Sequence, residues 1–277
     1  MLRDRRIGTA RVLAPLAFIL ALVLWTASSY PLLTLALLVA SLAMAGASFW
    51  SCAVLLGTRA AWLFLALGAG FGWCAEQMGA SRGWFFGDYS YTEVLGPRLG
   101  DVPIAIPLMW FGLCYIGLLM ASLALWRQPA PPADWKAAML GALLAAMIIT
   151  AFDLAADPYF VYVLKAWIME KKDGHWFGET VRGFKGWMTV SLAIVGVFLA
   201  VARPRLAPPA QGRTLRAATL LPLGIYAGLL VFQLTMSETV ALRVVAFFAM
   251  GIPTLVAASA CAQWFAQLRG ATQEVMP

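Results

Sequence analysis

The run AAWLFLALGAGFGWCAEQMG, residues 60–79, is apolar for most of its length and carries an acid, Glu76, close to its end. At about 1.5 Å per residue it reaches roughly 30 Å, the thickness of a bilayer's hydrocarbon core. Runs of the same kind occupy 12–28, 31–57, 102–126, 135–157, 184–202, 217–235 and 241–266. Together they predict an all-α, polytopic integral membrane bundle of about eight transmembrane helices, organised as one domain over residues 1–277.

The composition agrees. The chain is 62% hydrophobic and 12% charged, with a mean hydropathy of +0.81, whereas soluble domains carry roughly 25% charged residues. The basic start RDRRIGTAR leads into an apolar run too long for the core of a cleaved leader, so the first span is expected to be retained.

The net charge of +7 follows from topology rather than from nucleic-acid binding. With a cytoplasmic N-terminus, Arg3, Arg5, Arg6, Arg11, Arg59, Arg127, Lys136, Arg203, Arg205, Arg213, Arg216 and Arg269 fall on the inner side, as the positive-inside rule requires. Glu76, Asp88, Glu93, Asp101, Asp153, Asp157, Glu170, Asp173, Glu179 and Glu238 then fall at or near the outer side, so the chemistry is expected there. The expected location is a bacterial inner membrane.

Cysteine and histidine usage excludes several classes. Cys52, Cys74, Cys114 and Cys261 stand singly in spans, and His175 is the lone histidine, so zinc and haem lack ligands. Neither a Gly-rich phosphate loop nor a G-x-S-x-G elbow is present. No cofactor and no metal are expected.

Two loops break the pattern, 80–101 and 158–183, and because two spans separate them they face the same side. Each holds a related stretch, GWFFGDY at 83–89 and GHWFGET at 174–180. The segment 159–169 is apolar enough to predict a short interfacial helix. Pro103 and Pro107 predict a bent, aromatic start to the fourth span, ahead of Trp110. Gly68 and Gly72 form a small-xxx-small pair of the kind used for close helix packing. The aromatic residues Trp84, Phe86, Tyr89, Tyr91 and Trp176 suit either an interfacial belt or a substrate wall.

The acids inside the spans carry the functional signal. Asp153 and Asp157 are four apart, one turn from each other on one helix face. An aspartate costs about 2.5–3.5 kcal/mol at a helix centre on insertion scales, so such residues are retained mostly for function. Asp153, Asp157 and Glu76 are the candidate catalytic groups.

The order of residues from Glu76 through Gly79, Gly83, Phe86, Gly87, Tyr89, Tyr91, Leu95, Gly96, Leu99, Val102, Pro103, Ile106, Pro107 and Leu108 to Trp110 resembles the membrane carotenoid hydratases of the CruF type, which include bisanhydrobacterioruberin hydratase. FDLAADP, 152–158, resembles the D-L-x-x-D-P of that family, and WFGETVRGFKGW, 176–187, resembles its second aromatic block. Thr180 or its neighbour stands where the family pattern carries Pro, and Gly183 where it carries Asn. The resemblance covers residues 76–187, the expected catalytic region. It implies cofactor-independent addition of water to the terminal double bond of a linear carotenoid. It also implies a polyene substrate, water and membrane lipids as partners, alongside other enzymes of carotenoid biosynthesis.

Such a reaction needs an acid to protonate the alkene, a stabiliser for the tertiary cation, and a base to deprotonate the captured water. Asp153, deepest in its span, is the expected donor, with Asp157 or Glu76 as the second carboxylate. Trp110, Trp84, Phe86, Tyr89, Trp176, Phe177 and Trp187 are the expected substrate wall, since aromatic faces stabilise cations by about 0.5–2 kcal/mol each. Two other classes fit parts of the pattern. The D-x-x-x-D of 153–157 suits a magnesium-dependent prenyltransferase of the UbiA type, and the aromatics suit a non-catalytic pigment-binding protein.

The topology has a direct test. In a cysteine-free background, Ser81→Cys should react with an impermeant thiol reagent in intact cells while Gln211→Cys stays unlabelled. The opposite pattern would turn the chain around.

Overall fold

The computed structural model describes residues 2–170, 174–178, 180–202 and 212–273, with side chains described between 16 and 269. Asp173, Glu179, Arg203, Arg205 and Gln211 lie outside the described residues, as do the side chains of Arg3, Arg5, Arg6 and Arg11.

Among the described residues there are eight α-helices: α1 Leu2–Ser29, α2 Leu32–Leu56, α3 Thr58–Arg82, α4 Ala105–Trp126, α5 Trp135–Pro158, α6 Val181–Ala202, α7 Arg213–Met236 and α8 Val240–Gln273. Six of them, α2 and α4–α8, are long and apolar enough to cross a membrane. In α1 the described apolar part is Leu16–Ser29. The 25 residues of α3 have the length of a span, but Arg59, Glu76 and Arg82 lower its hydropathy. The chain is thus an all-α polytopic membrane bundle.

One helix organises the others. In α4, 78% of the apolar window is buried, against 28% in α2 and α8, so α4 is the central post and the other spans are less buried around it. It contacts α2, α3, α5 and α8. Small residues set the α3–α4 distance: a Cβ at Gly68 would stand 2.8 Å from the Phe111 Cα, and one at Gly72 would stand 2.6 Å from Trp110 Cβ. The expectation from the small-xxx-small pair is met, and its partner is the helix bearing Trp110.

Four short strands lie at one end of the bundle: β1 Tyr89–Tyr91, β2 Arg98–Leu99, β3 Val102–Pro103 and β4 Trp167–Met169. β2 and β3 form a small hairpin, and β1 pairs antiparallel with β4, Tyr89 opposite Met169 and Tyr91 opposite Trp167. The two long loops therefore meet, as their shared side required. They do not repeat one another: 83–89 follows a left-handed cap at Gly83 and runs into β1, whereas 174–178 closes on itself through a Gly174–Gly178 bridge.

Two local expectations need correction. The stretch expected as an interfacial helix is a π-helical turn, Tyr159–Val163, followed by β4. Trp167 and Met169 are drawn into strand geometry because β1 offers them a ladder. The fourth span also starts later than expected. Pro103 lies in β3, and α4 begins at Ala105, so Pro107 occupies its first turn, where a missing N–H costs nothing and fixed φ favours the helix.

Gly72→Ala should destabilise the bundle by about 1–3 kcal/mol through overpacking against Trp110. Gly70→Ala, where an added Cβ meets nothing within 4 Å, should be neutral or slightly stabilising. Thermal unfolding in detergent compares the two, and equal midpoints would sink the packing argument.

Candidate functional site

Glu76 lies in the last turns of α3 and is 5% exposed. A carboxyl group so placed must find donors within the protein, because the unsatisfied group would cost several kcal/mol. Three converge on it. Trp110 Nε1, from α4, donates to Oε1 at 2.9 Å, and the hydroxyls of Tyr89 and Tyr91 both donate to Oε2, the latter at 2.7 Å. The two tyrosines reach one oxygen because residues i and i+2 of a strand share a face: in β1 they are buried while Ser90 is exposed. Gly79, one turn beyond Glu76, makes room for the phenol, since a Cβ there would sit 2.8 Å from Tyr89 Oη.

Behind these donors stands an aromatic wall. Trp110 stacks on Trp187 of α6 with ring centroids 4.4 Å apart, and Phe86 leans on both Trp110 and Tyr89. Tyr91 meets Trp167 edge-on, and Trp167 stacks on Phe160. Gly186 lets α6 approach the first loop, because an added Cβ would fall 2.7 Å from the Phe85 carbonyl.

The wall borders a partly open cavity of about 50 Å³ lined by Glu76, Tyr89, Tyr91, Trp110, Trp187 and Asp157 among others. Asp157, from the end of α5, is thus brought to the same cavity as Glu76 although 81 positions separate them in sequence (157 − 76). Asp153 is buried one turn deeper on the same helix, at 2% exposure, and is not among the lining residues.

Pro158 shapes the end of α5. It has no N–H for the Leu154 carbonyl, which instead accepts from Trp176 Nε1 at 2.8 Å. The Tyr159 N–H bonds to the Ala156 carbonyl rather than to that of Ala155. The buried amide of Gln233 on α7, oriented to satisfy both neighbours, donates to Ala155 O at 3.2 Å and accepts from Ala156 N–H at 3.3 Å. The π-turn then closes with Leu164 N–H on Tyr159 O at 2.9 Å.

Of the expected wall, Trp110, Phe86, Tyr89 and Trp187 line the cavity. Trp176 is instead the clamp on α5, while Trp84 and Phe177 are 47% and 36% exposed and stand away from it. Tyr91, Trp167, Ile106, Met109 and Met169 complete the lining, together with Gly183. A Cβ at Gly183 would meet only the Phe86 carbonyl, at 4.0 Å, so this position leaves space open. No group of three or more His, Cys, Asp or Glu side chains able to hold a metal occurs among the described residues.

A family model described as carotenoid biosynthesis protein matches residues 32–258. No curated protein and no solved structure matches the chain.

Burial, and then the neighbouring Glu76 charge, push the Tyr91 phenol well above the ordinary value of 10.0. Unfolding returns it to that value, so its share of stability is intact below pH 10 and is lost as pH rises above it toward the folded-state value. The detergent-solubilised protein should lose unfolding temperature progressively on that alkaline side, and Tyr91→Phe should lose it less steeply. Parallel curves would mean the phenol is not coupled to folding.

Proposed function

The chain belongs to the carotenoid biosynthesis protein family, and we propose that it adds water to the terminal double bond of a linear carotenoid by acid catalysis. The observation that carries this reading is that two carboxyl groups, Glu76 and Asp157, line one small aromatic cavity at the end of the bundle. Two carboxyls lining one cavity suit a reaction that takes one proton in and gives one proton out.

In this proposal the roles follow reach. A general acid must approach the atom it protonates to about 3 Å, directly or through one water. Asp157 faces the cavity and Asp153 does not, so the donor role passes to Asp157, with Asp153 as a positioning group one turn beneath it. Asp157 gives its proton to the CH carbon of the terminal alkene, leaving a tertiary cation on the dimethyl carbon. The faces of Trp110, Trp187 and Phe86 stabilise that cation by about 0.5–2 kcal/mol each, and more without water. Glu76, met by three donors, is equipped to work as a carboxylate, which accepts at every lone pair. It attracts the cation and takes the proton released when water forms the C–O bond.

The cavity's size fits this division. At about 50 Å³ it holds a few waters of roughly 10–15 Å³ each by the same measure. A methylated alkene end enters only as the aromatic side chains part, so the water is in place before the substrate. The lipid-soluble polyene arrives from the bilayer.

Expression in cells that accumulate lycopene should yield pigments heavier by one or two waters. A gain of an isoprenoid unit would indicate prenyl transfer instead, and unchanged pigment a binding protein. Asp157→Asn and Glu76→Gln should each lower turnover by about 10²–10⁴-fold in folded protein. Asp153→Asn should cost less, and a larger loss there would return the donor role to Asp153.

A further inference from the structure

Where α6 meets the first loop it carries two glycines, Gly183 and Gly186, and they act differently. At Gly186 an added Cβ would fall 2.7 Å from the Phe85 carbonyl and 2.7 Å from the Phe86 ring, so close packing requires the glycine. At Gly183 an added Cβ would meet only the Phe86 carbonyl oxygen, at 4.0 Å. Gly183 lies within α6 and has no positive φ, so neither close backbone approach nor a left-handed conformation accounts for it. A glycine within a helix is unfavourable relative to alanine. What Gly183 contributes is empty space, and Gly183 and Phe86 both line the cavity.

The lining also shows where the cavity opens. The two acids, Glu76 and Asp157, are buried, whereas Met109, Trp167, Gly183 and Trp187 are partly exposed and mark the rim. Three of these four rim residues carry large side chains. The gap in the rim is at Gly183.

We propose that Gly183 determines which substrate end the site accepts: the branched end of a linear carotenoid, CH=C(CH3)2, passes the rim beside residue 183, and any side chain there competes with it for the same space. A leucine side chain, CH2–CH(CH3)2, has the same branched carbon skeleton as that alkene end. Gly183→Leu therefore places a saturated copy of the substrate's end where the substrate has to enter, and a cavity of about 50 Å³ has no room for both. The identity of the substrate rests on the hydration reading; the open space at 183 does not.

The test uses full-length, detergent-solubilised protein. Gly183→Leu should lower kcat/KM for lycopene by about 10²-fold, the scale of a displaced substrate, with an unfolding temperature equal to or above that of wild type. Gly70→Leu, the same change at an open glycine of α3 outside the cavity lining, should leave turnover as it is. In a cysteine-free background, Gly183→Cys should react with methyl methanethiosulfonate, and lycopene should protect it. Ser81→Cys, at an exposed position at the end of α3, should react at the same rate with and without lycopene. Methyl, propyl and benzyl thiosulfonates should block hydration by Gly183→Cys in order of increasing size, and dithiothreitol should restore it, which separates a filled gap from a misfolded chain. Wild-type turnover in Gly183→Leu, a loss of turnover matched by a fall in unfolding temperature, or a labelling rate at 183 that lycopene does not change would each overturn the proposal. If wild type yields no hydrated product while lycopene still protects the introduced thiol, the hydration reading falls and the gap at Gly183 stands as the entry for the polyene end.

Discussion

A carboxyl group buried in an apolar bundle has to be met by donors, and at Glu76 that requirement ties together parts of the chain that share nothing else. Trp110 can reach it only because Gly68 and Gly72 let α4 lie close against α3. Tyr89 and Tyr91 can reach it only from an extended strand, and β1 stays extended because β4 pairs with it. One polar contact thus fixes the α3–α4 spacing, the path of the first loop and the docking of the second. Replacing any donor leaves the carboxyl short of a partner, at about 1–3 kcal/mol or more for a charged group.

The same arrangement separates reaching the site from supporting it. Asp157 projects into the cavity from the last turn of α5, and the π-turn after Pro158 then swings the chain toward β4. The Leu154 carbonyl, which Pro158 cannot serve, accepts from Trp176, and the Ala155 carbonyl accepts from Gln233, so the Asp157-bearing end of α5 is held from the second loop and from α7. Tyr226, also on α7, bonds to the Ile148 carbonyl at 2.8 Å and steadies α5 two turns lower. Helices α7 and α8 add no side chain to the cavity lining, yet α7 carries the backbone contacts on which the aspartate's position depends.

Much of the fold was legible because span length and apolarity are local properties. The eight runs read from the sequence fall within a few residues of α1–α8, apart from α1, whose helix also takes in the basic start, and α8, which runs on beyond its apolar run. Six of the eight meet the length and hydropathy of a span. Glu76, Asp157, Trp110, Phe86, Tyr89 and Trp187 could be singled out because acids and aromatics near span ends are conspicuous. The β1–β4 pairing joins segments about eighty positions apart, and no local pattern announces it. Trp167 and Met169 were consequently missed as lining residues, and Tyr91, left between an interfacial belt and a wall, could have been assigned from the alternation in Tyr89-Ser90-Tyr91. The likeness of 83–89 to 174–180 misled in the opposite direction. Similar composition gave similar polarity, but one stretch follows a helix cap and the other closes on itself, so Trp84 and Phe177 fall outside the wall.

The clamp at Pro158 also bears on how the protein is made. As the chain enters the membrane from its N-terminus, α5 is inserted with the Leu154 and Ala155 carbonyls still open, since Trp176 and Gln233 are synthesised later. Nascent α5 must therefore sit with that end at the water boundary, where solvent can stand in for both partners. The aspartate-bearing turn takes its final form only after α7 has been threaded. Biogenesis thus leaves the Asp157 end of the bundle for last, and a chain that stops short of α7 would hold its acids in a turn that has not yet set.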